Sequence, residues 1–338
     1  MRASAARLAE TSVRLADLVF PSSRVQIQRT RLAFIHLDHL LHFAKIDRDG
    51  RVDGYVVTYL PDEVALLFFK RGEVMSAVTF TEAGRSVVSI DSVLRNMRRE
   101  TERGELAFCD APMEQLCWMY HSCATPVVPK PVDAKQPETI FPALQHEHAS
   151  GVLELIANGR VNYFRFDEGR FVNGYFSGKP DEMTIAQHVE SLFRPAPDGA
   201  KPSVAASVFH PDGDLPEQAS GAMIQSYREL FWRILAVAEQ QVPGEGQPRG
   251  LKVRDALAQG SGPLAAVGAP LDQEPVEVVA RPDQVAQALA DWTKQLLEQL
   301  EVIAPGVAPT VVREATRENR FALQKAGFYK ELPWTVSW

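Results

Sequence analysis

Residues 53–74 of this chain return, without a gap, 97 positions later. Gly54 falls on Gly151, Val64 on Val161, Phe69 on Phe166 and Gly72 on Gly169, while Tyr55, Val56, Leu66, Leu67 and Val74 meet Val152, Leu153, Tyr163, Phe164 and Phe171. Few of these are identities, so what repeats is a pattern of turn glycines and apolar alternation. A unit that recurs in this way is one supersecondary structure used twice. No polar constellation is duplicated beside it, which points to a binding or scaffolding protein, because function resides in sites and not in folds.

Two kinds of turn divide each copy. Asn158-Gly159 between alternating apolar runs marks a hairpin whose central residues both need positive φ, and Pro61-Asp62 holds the matching place in the first copy. Lys70-Arg71-Gly72 and Asp167-Glu168-Gly169 read as three-residue loops with the glycine left-handed. With Gly54 and Gly151 at the opening of each copy, these are the four structural turn glycines. The pattern predicts strands over 54–60, 63–69 and 73–80, and again over 151–157, 160–166 and 170–177. Helical stripes flank them: Leu37, Leu40, Leu41 and Ala44 before the first, and Val87, Ile90, Val93 and Leu94 after it, with shorter versions around 138–147 and 180–193. Closing strands follow at 105–109 and 204–208. The fold class is α+β: two tandem α-βββ-α-β units with antiparallel sheets, whose Phe69 and Phe166 should both be buried.

This run of glycine, apolar alternation, turn, Val-x-x-x-Tyr/Leu-Phe-x-Phe-x-x-Gly-x-Phe/Val, helix and closing strand resembles the PATAN domain, over roughly 31–112 and 138–210. The resemblance implies a bacterial signalling module without recognised catalytic residues, of a kind found with receiver domains or beside small Ras-like GTPase systems. This chain differs from the usual form in carrying two copies and no receiver domain.

Around the two units the chain divides by composition. Residues 1–30 read as an N-terminal docking helix and tail, with Leu8, Leu15 and Leu18 on one side. Residues 31–125 hold the first unit, 126–137 a proline-rich spacer, and 138–212 the second unit. Residues 215–338 read as a mainly helical domain with long helices near 216–242 and 283–303, a linker at 243–250, a short strand at Val276, Val278 and Ala280, and a third helix over 310–325. The aromatic-rich end, Phe328 to Trp338, should be ordered, since disordered tails are poor in aromatics. A net charge of −7 disfavours a protein that tracks a nucleic-acid backbone. No apolar stretch approaches the ~18 residues of a membrane span. The expectation is therefore a cytoplasmic protein.

Several residue groups suggest chemistry and are outweighed by plainer readings. Cys109, Cys117, His121 and Cys123 have a spacing that matches no common zinc site. Asp47–Gly54 resembles a calcium loop but places Arg51 and Leu60 where ligands belong. His36, His39 and His42 fan over too wide an arc of one helix face for a single metal. No phosphate loop and no nucleophile elbow occurs. No catalytic, cofactor-binding or metal residue is therefore assigned, and no cofactor.

The reading that remains is a non-enzymatic adaptor or scaffold acting by protein–protein interaction. Its contact surfaces are expected at sheet edges, at the Ile35, His39 and Phe43 helix face, and at the tail aromatics Tyr329 and Trp338. Its partners are expected among other signalling proteins, with a Ras-like GTPase or receiver-domain system implied by the resemblance, and a homodimer is compatible with such surfaces. The alternative is a small-molecule sensor binding a nucleotide-like or apolar ligand between the two sheets or beneath the C-terminal helices.

Overall fold

The computed structural model of the chain describes residues 14–46, 52–133, 136–194, 202–258, 262–274 and 276–338. They form two compact units, one running to Val88 and from Val93 to Pro216, the other comprising Ser89–Ser92 and Glu217–Trp338. Both repeats lie in the first unit. The fold is α+β, with two antiparallel sheets followed by helices.

The first sheet contains β1 (Arg24–Arg31), β2 (Gly54–Tyr59), β3 (Glu63–Lys70), β4 (Glu73–Thr81), β5 (Gly84–Val88) and β6 (Glu105–Asp110), in the order β1-β6-β2-β3-β4-β5. The second contains β7 (Val128–Lys130), β8 (Gly151–Ala157), β9 (Arg160–Asp167), β10 (Arg170–Phe176) and β11 (Val204–Phe209), in the order β10-β9-β8-β11-β7. The meanders and closing strands therefore match in topology: β6 pairs with β2 as β11 pairs with β8. The match extends to irregularities. Phe69↔Val74 is followed by an unpaired Met75, and Phe166↔Phe171 by an unpaired Val172, a β-bulge at equivalent positions of both copies.

The hairpin loops are tighter than the three residues expected. Lys70 pairs with Glu73 and Asp167 with Arg170, leaving two-residue loops in which both residues have positive φ: Arg71 51° and Gly72 77°, Glu168 47° and Gly169 77°. Each loop is held by the residues just before the copy's first strand. Gly72 N–H donates to Val52 O and Gly169 N–H to Ala149 O, while Arg71 N–H donates to Asp53 Oδ1 and Glu168 N–H to Ser150 Oγ. Asn158 and Gly159, at 49° and 81°, form the expected turn. Gly54 and Gly151 are not turn residues. They begin β2 and β8, and an added Cβ would lie 2.2 Å from Cys109 O at Gly54 and 2.9 Å from Phe209 O at Gly151, so they permit close pairing with the closing strand.

Equivalent faces of the two sheets share one core. Tyr55, Tyr59, Val64 and Leu66 of the first and Val152, Ile156, Val161 and Tyr163 of the second pack together with Leu116, Trp118 and Met119 of a helix that the sequence pattern did not predict. Of the flanking helices, α1 (Leu37–Ile46) packs on β4, and α2 (Ile90–Arg99) is tied to β3 by Asn96 Nδ2 donating to Glu63 Oε1 at 2.7 Å. The unpredicted helix is α3 (Met113–Ala124), and α4 (Ile140–His146) and α5 (Ile185–Leu192) cover the outer face of the second sheet. Phe69 and Phe166 are both buried.

Several boundaries differ from expectation. Residues 24–31 form an edge strand, not a tail; Leu15–Asp17 is a single 3-10 turn, and residues 1–13 of the expected docking helix lie outside the described residues. The proline-rich spacer contributes β7, where Pro129 sits on a sheet edge that can spare a donor. Val87 belongs to β5, and the following helix starts at Ile90.

The second unit is helical: α6 (Gly221–Gln241), α7 (Gly246–Leu257), α8 (Pro263–Val267), α9 (Pro282–Glu301), α10 (Val307–Thr316) and α11 (Arg320–Lys325). The expected strand at 276–280 does not form, and residues 246–250 of the expected linker at 243–250 are instead the start of α7. Its glycines serve packing: a Cβ at Gly250 would lie 2.2 Å from Leu235 Cδ2, and Gly250 O accepts from Trp292 Nε1 at 2.9 Å. No helix of the described residues is long and apolar enough to cross a membrane.

Candidate functional site

The outer face of each sheet has a buried floor, Leu153, Phe164 and Phe166 of the second matching Val56, Leu67 and Phe69 of the first. In the first, Val56, Leu67, Phe69, Ala77 and Phe108 are all at most 1% exposed. In the second, α4 and α5 leave a groove of about 490 Å³ over the equivalent surface. Its floor is aromatic: Phe164 packs against Phe141 at 5.2 Å, Phe176 at 5.1 Å and Phe171 at 6.2 Å between ring centroids. Its walls include Pro142, Ile185 and Val189. Of its lining residues Phe171 and Ile185 are 42% and 38% exposed, and Val172, next along β10, is 56% exposed. Such apolar side chains grouped at one place mark an interaction surface more often than isolated ones do.

Local chemistry builds this groove. Gly169 carries the positive φ of the hairpin loop, and a Cβ there would stand 2.7 Å from Gln145 O, so only glycine lets the loop approach the end of α4. The first turn of α5 is set by a capping box: Gln187 N–H donates to Thr184 Oγ1 at 3.3 Å, and Thr184 N–H donates to Gln187 Oε1 at 2.9 Å. This start at Ile185 leaves that residue on the rim. Beneath α5, His188 Nε2 meets Asn162 Oδ1 at 3.2 Å, and Ser177 N–H donates to the same oxygen at 3.1 Å. All three residues are fully buried, and burial lowers the His188 pKa, keeping the ring neutral.

A second concavity of about 570 Å³ lies between the repeats, at the start of α3. Lys70, Glu114, Cys117, Arg165, His210 and Asp214 give it mixed charge. Glu114 is engaged: Oε2 accepts from Tyr175 Oη at 2.8 Å and Asn173 Nδ2 at 3.0 Å, while Arg165 Nη1 approaches Oε1 at 3.5 Å. Burial, followed by Glu114, raises the Tyr175 phenol. Burial also raises the Cys117 thiol, which disfavours the thiolate that nucleophilic chemistry needs. Deeper in the same core Arg85 Nη1 donates to both oxygens of Glu154, at 2.6 and 2.8 Å, with both side chains buried. Cys123 beside them is pushed up to about 12 by burial.

The residues singled out in the sequence fall in several places. Ile35 is half-buried and His39 exposed; the side chain of Phe43 lies outside the described residues. The rings of His36 and His39 stack at 3.9 Å. Tyr329 is half-buried and donates to Thr316 Oγ1 at 2.8 Å, whereas Trp338 is 52% exposed. Among the described residues no group of three or more His, Cys, Asp or Glu converges as a metal site. Residues 47–51 of the calcium-like loop are outside the described residues. The groove residues Phe141 and Ile185, and the neighbouring Val172, were not singled out. Their one signal was Phe171-Val172, two apolar residues in succession where alternation calls for one. No family model, curated protein or solved structure matches the chain.

Proposed function

We propose that this chain is a non-enzymatic signalling adaptor built on two PATAN-like units, which acts in the cytoplasm by binding another protein. The observation that carries this reading is the groove of the second repeat. It is lined mostly by apolar side chains, exposed Phe171 and Ile185 among them, and exposed Val172 follows Phe171 along β10. Such a surface suits an apolar anchor of a partner in a desolvated pocket. The PATAN resemblance directs the search to other signalling proteins, among them Ras-like GTPases and receiver-domain proteins. A photo-crosslinking amino acid at Val172, introduced in the native cell, should capture one predominant protein, and Ile185→Glu should abolish the capture without changing the melting temperature. Capture that is diffuse, or indifferent to Ile185→Glu, would refute the reading.

A small-molecule sensor is the second reading, favoured by the mixed-charge cleft between the repeats. A ligand held there raises the melting temperature by mass action, and Lys70→Ala together with His210→Ala should remove that shift. A metabolite screen without any stabilising compound counts against it.

A further inference from the structure

The second sheet is one strand short of the first. β5 pairs with β4 through Ala77↔Val88, Thr79↔Ser86 and Thr81↔Gly84. By the repeat interval Ala77 and Thr79 correspond to Gly174 and Phe176 of β10, which is an edge strand. Ala157 and Arg160 close the Asn158-Gly159 turn, so alternate residues of β9 from Arg160 to Phe166 bond to β8. Of the others, Tyr163 and Arg165 face β10, while Val161 N–H donates to Val19 O. The residues of β10 opposite Asn162, Phe164 and Phe166 are Phe176, Gly174 and Phe171, and their main-chain groups point to the open edge. Gly174 and Phe176 correspond to Ala77 and Thr79, which hold β5 in the first sheet, and Phe171 lies beyond the stretch that β5 covers.

Among the described residues none supplies a further strand beside β10. Residues equivalent to β5 are 181–185, and they form the approach to α5: Met183 N–H donates to Pro180 O, Lys179 Nζ donates to Met183 O at 2.8 Å, and Thr184 caps the helix. Pro180, at the place of Ala83, is part of this turn. An edge left open in this way invites a strand from elsewhere.

We propose that the β10 edge takes a short extended segment of another protein, antiparallel to β10, which starts in the position β5 holds in the first sheet and continues past it along β10, with an apolar side chain on the groove side and a carboxylate at its C-terminal end beside Arg170. The proposal rests on the adaptor reading and names its mode. A residue opposite Gly174 would project to the same side as the Phe176 ring, which lies across Gly174, and as exposed Phe171. An apolar residue fits there. Arg170 begins β10, so it meets the last residues of an antiparallel neighbour. It is exposed, and among the described residues no ion pair joins it to a carboxylate. Main-chain bonds would give affinity and the alternating side chains specificity.

Phage-displayed eight-residue segments selected on the full chain supply the probe, and the tightest is synthesised and titrated with amide exchange as the readout. The expected result is that it slows exchange at Gly174 and Phe176 by about tenfold or more, as new hydrogen bonds do. Arg170→Glu should weaken it about tenfold, and a peptide with lysine in place of its acidic residue should restore binding. If a peptide binds and is blocked by Ile185→Glu but leaves both amides exchanging freely, strand addition is overturned while the adaptor reading stands. Failure to select any binder, or binding indifferent to Arg170→Glu, overturns strand addition as well. Protection that rises with protein concentration in the absence of peptide assigns the edge to a second copy and overturns the partner segment. The adaptor reading itself fails separately, on the crosslink at Val172.

Discussion

Gly169 shows how one residue can be constrained twice. Its φ of 77° is a left-handed conformation that costs an L-residue roughly 1–2 kcal/mol, and the added Cβ would also press on Gln145 O at 2.7 Å. Gly169→Val should therefore lose about 3 kcal/mol in chemical denaturation, strain and overpacking combined. A melt like that of the parent would mean that the hairpin loop and α4 are not in contact. Glu154 is constrained by its partner. It occupies the position of Val57 in the repeat, and its exchange for a carboxylate makes sense only with Arg85 across the shared core, both side chains being at most 7% exposed. Glu154→Ala strands a buried guanidinium and should cost about 3–5 kcal/mol. The double variant Arg85→Met with Glu154→Leu, which removes both charges, should recover most of that loss, because ion pairs of this kind are often replaceable by apolar packing. Additive losses in the cycle would show that the two charges do not interact.

At the scale of elements, the six meander strands were legible because alternation between a buried face and a second buried face leaves long apolar runs bounded by turn residues. Elements at sheet edges were not. β1 reads Arg-Val-Gln-Ile-Gln-Arg-Thr-Arg and is largely exposed, so it carries little of the apolar signal that marks a strand. β5 was hidden because Val87 lies three residues before Ile90 and so joined a helical stripe. α3 was hidden for the opposite reason: Gln115, Leu116, Trp118, Met119, Tyr120 and His121 are all buried, and a helix enclosed on every side has no stripe to detect. The groove was illegible because it arises from what α4 and α5 fail to cover, and no local pattern records an absence. The attachment of α5 gives a measurable pH dependence. His188 is neutral in the folded protein because burial lowers its pKa, with the charges of Arg160 and Lys179 adding to this. In the unfolded chain a histidine takes up its proton near pH 6.5. The unfolded state therefore binds more protons below that value, and stability falls as the pH drops from about 6.5 towards the lower folded pKa, then levels off. Thermal melts from pH 7.5 to pH 5 should show that decline, and His188→Gln should flatten part of it. An unchanged slope in the variant would place the acid sensitivity elsewhere, with buried His121, also lowered by burial, the first to test.

For the molecule as a whole, the C-terminal tail decides how the helical unit is completed. After Gly327, at φ 82°, the chain turns out of α11 and lays Phe328 and Leu332 into the core of that unit, at 1% and 7% exposure. Trp334 and Val336 pack partly against the same core, which includes Phe231, Trp292 and Leu296. Trp338 behaves differently: it stands 52% exposed, edge-on to Tyr329 at 5.7 Å, with the Arg320 guanidinium 5.9 Å from its ring. The tail thus divides into a core segment and an exposed end. Truncation of a buried phenylalanine alone costs about 3–5 kcal/mol, a large share of the 5–15 kcal/mol that stabilises a typical domain. Deleting residues 328–338 should therefore abolish the cooperative melt of the helical unit and expose surface that binds a hydrophobic dye. Trp338→Ala should change stability by no more than about 0.5 kcal/mol, as for other exposed positions, and so isolates any role of that ring in holding a partner. If the deletion melts like the full chain, the tail is not part of the core, and the burial of Phe328 contributes nothing to the fold.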